Sequence, residues 1–368
     1  MKQRWDIFCA VVDNYGDIGF CWRLARLLAF EHGITVRLWV DDPVSLARLH
    51  PAADPALSVQ QLEGIEIRTW ITPMPAVDVA HVVIEAFACE LPESYLRAMA
   101  ALPSPPVWIN LEYLSAEDWV AGCHGLASPH PRLPLTRHFF FPGFFAGTGG
   151  LLREHDYDLR RHAFNPDAFR QALNLPPARP GEATISLFGY ENTALPSLLQ
   201  AWSAEATPIR VLLPESRLTP AVQAFFGDSP WQRNALTVHR IPFLPQTGYD
   251  ELLWISDLNF VRGEESFVRA QWAARPLVWH IYPQAGNYHR IKLAAFLRHY
   301  AAGLEDAAAT ALATFWHAWE AGRSADLAWP AFRDALPTLN RHAGYWAEKL
   351  ATGGDLAGNL VAFASGSR

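Results

Sequence analysis

Short apolar runs alternate with amphipathic stretches along most of this chain. Trp5 to Val12 is apolar and partly β-branched, which predicts a buried strand, and Phe20 to Phe30 shows apolar residues at helical spacing that carry a helix to about His32. Ile34 to Val40 follows as a strand, with a short helix through Leu46. Ile65 to Trp70, Val79 to Ala86 and Val107 to Leu111 read as further strands, with helices over Pro92 to Ala101 and Ser115 to Val120. This is the rhythm of βαβ units. It breaks at His138 to Gly150, rich in Phe, Gly and Pro, and polar Arg153 to Asn165 marks an interdomain region. A second βα series runs through Ala183 to Phe188, Ile209 to Leu213, Leu236 to Ile241, Leu258 to Val261 and Leu277 to Ile281. From Ile291 the chain is helical in character, with Ala- and Trp-rich stretches at Ala307 to Trp319 and Trp346 to Leu350. The pattern predicts an α/β protein of two doubly wound domains, 1–152 and 181–335. An interdomain region at 153–180 joins them, and a C-terminal helical segment at 336–368 is expected to pack back on the first domain.

Length and composition agree with two domains: 368 residues, half of them hydrophobic, bury a sizeable core. A formal charge of -7 and a pI near 6.0 argue against a binder of nucleic-acid backbone, which needs clustered Lys and Arg. Cys9, Cys21, Cys89 and Cys123 contain no CxxC pair, so neither a zinc site nor a disulfide framework is indicated. The start MKQRWDIF lacks an apolar leader, and no stretch approaches eighteen consecutive apolar residues. The expectation is a cytoplasmic protein without membrane attachment.

Ligands of open α/β sheets bind beyond the carboxyl ends of the strands, and four such places carry chemistry. Asp13-Asn14-Tyr15-Gly16-Asp17-Ile18-Gly19 puts two carboxylates on a glycine-bearing strand-to-helix turn. Helix capping by Asp17 is the plainer reading of that turn. Phe188-Gly189-Tyr190 sets two aromatics around a glycine, either a platform for a base or a piece of core. Phe260-Val261-Arg262-Gly263-Glu264-Glu265-Ser266 combines a guanidinium and a hydroxyl with helix-start amides, as a diphosphate would need. The rival account is an acidic first turn complementing the helix dipole. Trp279-His280-Ile281-Tyr282-Pro283-Gln284 is the fourth, where Tyr282 could reach a phosphate or sugar or lie in the core. Asp156-Tyr157-Asp158 has metal-binding DxD spacing but sits in the polar linker, and the histidines form no HExxH.

Carboxylates in one domain and an anion site in the other suggest a cleft with acceptor on one wall and donor on the other, the layout of a two-domain sugar-nucleotide glycosyltransferase. The segments DIFCAVVDNYGDIGFCWRLARLL, INLEYLSAEDWV, FFFPGF with TGGLLRE, SLFGYEN, DLNFVRGEESFVRAQW and WHIYPQ closely resemble the elongation factor P arginine rhamnosyltransferase family, EarP, over nearly the whole length. The resemblance implies two facing Rossmann-like domains of GT-B type and inverting transfer of L-rhamnose from dTDP-β-L-rhamnose to an arginine of elongation factor P, with no metal. It implies Asp17 as general base, Asp13 as its neighbouring essential carboxylate, and Glu264 as a third catalytic residue within the donor site. For the donor nucleotide it implies Phe188, Tyr190, Gln246 and Tyr249 around the base and deoxyribose. Arg262, Glu265, Ser266 and Tyr282 would join Glu264 at the ribose and diphosphate. Tyr249 stands where the family usually has Phe, and Glu265 where Asp is common; both keep the chemical type. The chief alternative is a dinucleotide-dependent oxidoreductase with Asp41 or Asp42 on a ribose, opposed by a partial glycine pattern and by the charge of Asp13. A non-enzymatic binder of a translation factor is the other.

Overall fold

The computed structural model describes residues 3–12, 15–71 and 73–367. The chain divides into two compact units, one running to His155 and taking in Leu350 onward, the other Asp156–Lys349.

The first unit contains β1 (Arg4–Cys9), α1 (Gly16–Phe30), β2 (Thr35–Val40), α2 (Pro43–Leu49), β3 (Val59–Leu62), β4 (Ile65–Thr69), β5 (Val82–Ala86), α3 (Glu93–Ala100), β6 (Val107–Leu111), α4 (Val120–Cys123), β7 (Ala127–Pro129) and β8 (Thr136–Phe140). They form a sheet in the order β3-β4-β2-β1-β5-β6-β8-β7, parallel except where β3 and β7 pair antiparallel at its edges. The strand positions predicted from β-branched runs recur here, β6 to the residue. Asp6, fully buried within β1, accepts from Arg37 Nε at 2.9 Å and from Trp39 Nε1 at 3.3 Å, so its charge is compensated inside the sheet.

Three expectations need correction. Ser115 to Val120 is not a helix: Ser115 Oγ accepts from Glu117 N at 3.1 Å in a local turn, and only Val120–Cys123 is helical before Gly125, at φ +80°, ends it. Val79 to Ala86 begins as coil and becomes strand at Val82. The break at His138 to Gly150 starts later than expected, because Thr136–Phe140 adds to the sheet as β8.

The second unit contains α5 (Tyr157–Ala163), α6 (Pro166–Ala172), β9 (Ala183–Leu187), α7 (Leu195–Ser203), β10 (Ile209–Pro214), α8 (Thr219–Phe226), β11 (Gln232–Arg233), β12 (Leu236–Ile241), α9 (Gln246–Ile255), β13 (Leu258–Arg262), α10 (Glu265–Ala273), β14 (Leu277–His280), α11 (Tyr288–Tyr300), α12 (Asp306–Glu320) and most of α13 (Ala325–Ala351). Its sheet runs β11-β12-β10-β9-β13-β14, parallel except for β11. Phe260 of β13 meets Trp202 of α7 and Phe315 and Trp319 of α12 edge-on, so the Trp-rich helices cover the apolar strands. The chain then returns to the first unit as α14 (Leu356–Gly366). There Leu356 N donates to Leu151 O at 3.0 Å and Asn359 Nδ2 to Gly149 O at 3.0 Å.

In each sheet the chain first builds outward in one direction and then resumes on the other side of its first strand. The crossover points lie between β1 and β5 in the first unit and between β9 and β13 in the second. At such a switch point the connections leave in opposite directions, opening a crevice at the carboxyl ends of the strands.

Candidate active site

The turn after β1 is tied down by two carboxylates on successive amides. Val11 N donates to Asp41 Oδ1 at 2.9 Å, and Val12 N donates to Asp17 Oδ2 at 2.8 Å. Asp17 is not the N-cap of α1: the helix begins at Gly16 with Tyr15 as the cap residue, which leaves Asp17 in the first turn, 3% exposed. There a carboxylate is favoured by the helix dipole. Asp13 lies outside the described residues. The neighbouring Cys21 and burial hold the Cys9 thiol well above its ordinary pKa, and burial raises those of Cys21 and Cys89. These are unreactive core thiols. The acids weighed for a ribose have local partners: Asp42 caps α2, accepting from Val44 N at 3.1 Å and Ser45 N at 3.2 Å, while Asp41 holds Val11.

In the second unit most of the predicted donor residues converge on the β9–β13 switch point. The guanidinium of Arg262, at the end of β13, lies 4.8 Å from the ring centroids of both Phe188 and Tyr190, which follow β9. This is a cation held between two aromatic faces. Tyr190 in turn meets His280 edge-on at 5.3 Å and Tyr282 at 5.5 Å, and Phe188 meets Tyr249 at 5.8 Å. Gly189 sits between them where a Cβ would come within 3.0 Å of Leu218 Cδ1 and 3.3 Å of His280 Nδ1, so a side chain there would force its neighbours apart.

The turn from β13 into α10 uses Gly263 at φ +60°, its carbonyl accepting from Trp279 Nε1 at 2.7 Å. Glu264 is the N-cap residue of α10 and Glu265 begins its first turn. Ser266 Oγ accepts from Arg262 N at 3.0 Å and donates back to the Arg262 carbonyl, which locks the turn. Gln246, on α9, donates to Glu265 Oε1 at 3.5 Å. Helices α9 and α10 are held together below this by the fully buried Asp250 and Arg269, joined by two hydrogen bonds of 2.7 Å. Tyr249 is packed in, and burial raises its hydroxyl pKa, so it presents a neutral ring. Tyr282 is 43% exposed.

His280 also belongs to this cluster, although its segment in the sequence points to Tyr282 instead. Its buried ring lies between Tyr190 and Trp319. The signal in the sequence was a polar residue closing an apolar strand, which does not distinguish His280 from Tyr282. The DxD carboxylates are used within their own helix, Asp156 pairing with Arg160 at 3.0 Å and Asp158 with Arg161 at 3.8 Å. Among the described residues no group of three or more His, Cys, Asp or Glu is placed to hold a metal ion. Nor, among them, is any helix long and apolar enough to cross a membrane.

Two parallel-rich Rossmann-like units, one with a carboxylate-bearing turn and the other with an aromatic and cationic strand-end site, define the GT-B class of glycosyltransferase. MurG of Acinetobacter baumannii shares that fold, at 13% identity and a TM-score of 0.50 over the full length of both chains. Within the class, the sequence model of the Elongation-Factor P (EF-P) rhamnosyltransferase EarP matches residues 5–365, and the chain belongs to this family. It is therefore an enzyme of glycosyl transfer. Similar proteins include the protein-arginine rhamnosyltransferases of Pseudomonas putida, 49% identical over 374 residues, and Pseudomonas aeruginosa, 50% identical over 371, covering 98–99% of each chain. A structure solved to explain EarP-mediated arginine glycosylation of translation elongation factor EF-P matches at 36% identity and a TM-score of 0.70, each chain covered fully.

Proposed function

We propose that this enzyme transfers L-rhamnose from dTDP-β-L-rhamnose to a guanidine nitrogen of an arginine of elongation factor P, with inversion and without a metal or other cofactor. The observation that carries the donor half is Arg262, lodged between Phe188 and Tyr190 at a switch point beside the start of α10. Rings and a neighbouring cation are what a nucleoside diphosphate requires. In this reading Phe188, Tyr190, Gln246 and Tyr249 enclose the base and deoxyribose. Arg262, Glu264, Glu265, Ser266 and Tyr282 attend the ribose and diphosphate.

The acceptor half rests on Asp17. A free guanidine is scarce at neutral pH because arginine has a pKa above about 12. A proton must therefore leave as nitrogen attacks C1, and a carboxylate is needed to orient the cation and take it. Asp17 takes that proton and Asp13 helps hold the guanidinium. The C–N bond forms as the bond from C1 to the diphosphate oxygen breaks, on the opposite face, which inverts the anomeric centre. Charge growing on the departing diphosphate is met by Arg262 and the first turn of α10.

The reading is tested by incubating elongation factor P with the protein and dTDP-β-L-rhamnose in EDTA, then weighing the acceptor intact. One added deoxyhexose, α-linked to arginine by NMR, is expected. An unchanged mass with folded enzyme and acceptor overturns it.

A further inference from the structure

The β1–β5 switch point has a second wall, and nothing in the reading above uses it. Beside the Asp17 turn at this switch point, β5 is followed by Phe87 and Ala88, whose φ angles are +58° and +54°. Two consecutive residues with side chains in the left-handed region are costly, and a bulky one is an outlier. The turn is over-determined by its surroundings. Phe87 N donates to Leu111 O at 2.7 Å, Cys89 N to Ala86 O at 3.2 Å, and Cys89 Sγ to Phe8 O at 3.3 Å. Glycine would meet the same backbone demand without strain, so what the position holds in place is the phenyl ring.

That ring stacks on Tyr113, two residues beyond β6, with centroids 4.6 Å apart and planes 18° apart. Its edge meets Phe20 at 5.3 Å. Phe20 is three residues after Asp17 in α1, on the same helical face. The stacked pair is thereby fixed against the turn of helix that bears Asp17. Phe87 and Tyr113 are each half-buried, so neither residue is wholly enclosed.

We propose that Phe87 and Tyr113 form the aromatic surface that seats the acceptor's guanidinium beside Asp17. A guanidinium is planar, delocalised and weakly hydrated, so it stacks on an aromatic face while its N–H groups reach a carboxylate. An ammonium group lacks the plane and gains less. The pair thus selects arginine over lysine and turns one nitrogen toward the base. This rests on the arginine-acceptor reading above.

Steady-state kinetics with elongation factor P and dTDP-β-L-rhamnose test it, on wild type, Phe87→Leu, Tyr113→Leu and Tyr113→Phe, with melting temperatures to confirm folding. Either leucine variant is expected to raise the acceptor KM about tenfold with the donor KM within about twofold of wild type. Tyr113→Phe, which keeps the ring, recovers the acceptor KM. An unchanged acceptor KM in a folded leucine variant, or a donor KM that rises in parallel, overturns the aromatic seat. If Phe87→Leu does not fold, Tyr113→Leu decides. A wild type that transfers nothing overturns the rhamnosyl-transfer reading itself.

Discussion

His280 closes β14 with its ring against Tyr190 and Trp319, and burial, reinforced by the Arg262 cation, lowers its pKa to about 4. It is a neutral imidazole at pH 7. In the unfolded chain a histidine takes up its proton near 6.5, so the unfolded state binds more protons between the two values. The contribution of His280 to stability is therefore complete above about pH 6.5 and is lost as the pH falls through about 4. The shift corresponds to roughly 3 kcal/mol. His124, His239 and His342 are lowered in the same direction, so the readout is the difference between proteins. His280→Asn is expected to lose less stability than wild type between pH 7 and pH 4 in thermal melts; parallel curves would contradict the neutral buried state. At this scale the sequence was legible in kind and less so in position. Asp17 reads as a cap, yet capping depends on the φ and ψ of a single residue, and Tyr15 takes that place. Arg262, by contrast, could be singled out because a cation closing an apolar strand has few structural uses.

The strands most legible in the sequence were those with sharply bounded apolar positions: β6, buried on both faces, and β12, which alternates buried with more exposed residues, coincide with their predicted limits. Strands near the sheet edges were not. Thr136–Phe140, next to the edge strand β7, mixes Arg and His with aromatics and is mostly half-buried, so its pattern is that of a loop, and pairing with β6 and β7 makes it a strand. The short β3, β7 and β11 have the same explanation, since each completes an edge by antiparallel pairing with a neighbour that it does not specify locally. Elements also need fastening to one another, and for α9 and α10 this is the Asp250–Arg269 pair. Arg269→Leu removes the two-bond partner of the buried Asp250 carboxylate, which also has Arg160 at 3.7 Å. Removing one partner of a buried pair costs about 3–5 kcal/mol. Denaturant unfolding is expected to show a loss of this order; a loss below about 1 kcal/mol would mean that the pair does not hold the two helices.

Across the molecule, each unit offers its candidate chemistry at the switch point of its own sheet, Asp17 in one and Arg262 in the other. Strand order is not written in hydrophobic periodicity, because an apolar run specifies burial and leaves its neighbours open. This is why strand ends could be named from sequence but their convergence could not. The expectation that the C-terminal segment packs back on the first domain names no contacts, because Leu356 and Leu360 are apolar like any helix face until Leu151 is seen beside them. The account's central claim is a division of labour, with proton removal in the first unit and donor binding in the second. Comparing Asp17→Asn and Arg262→Gln for dTDP affinity by calorimetry and for rhamnosyl transfer by intact mass tests it most directly. Asp17→Asn should bind dTDP like wild type and transfer roughly 10²–10⁴-fold more slowly, the range lost with a general base. Arg262→Gln should weaken dTDP roughly 10- to 100-fold through the lost charge-assisted contact. Normal transfer by Asp17→Asn, or dTDP affinity that falls with Asp17 and not with Arg262, would contradict the account.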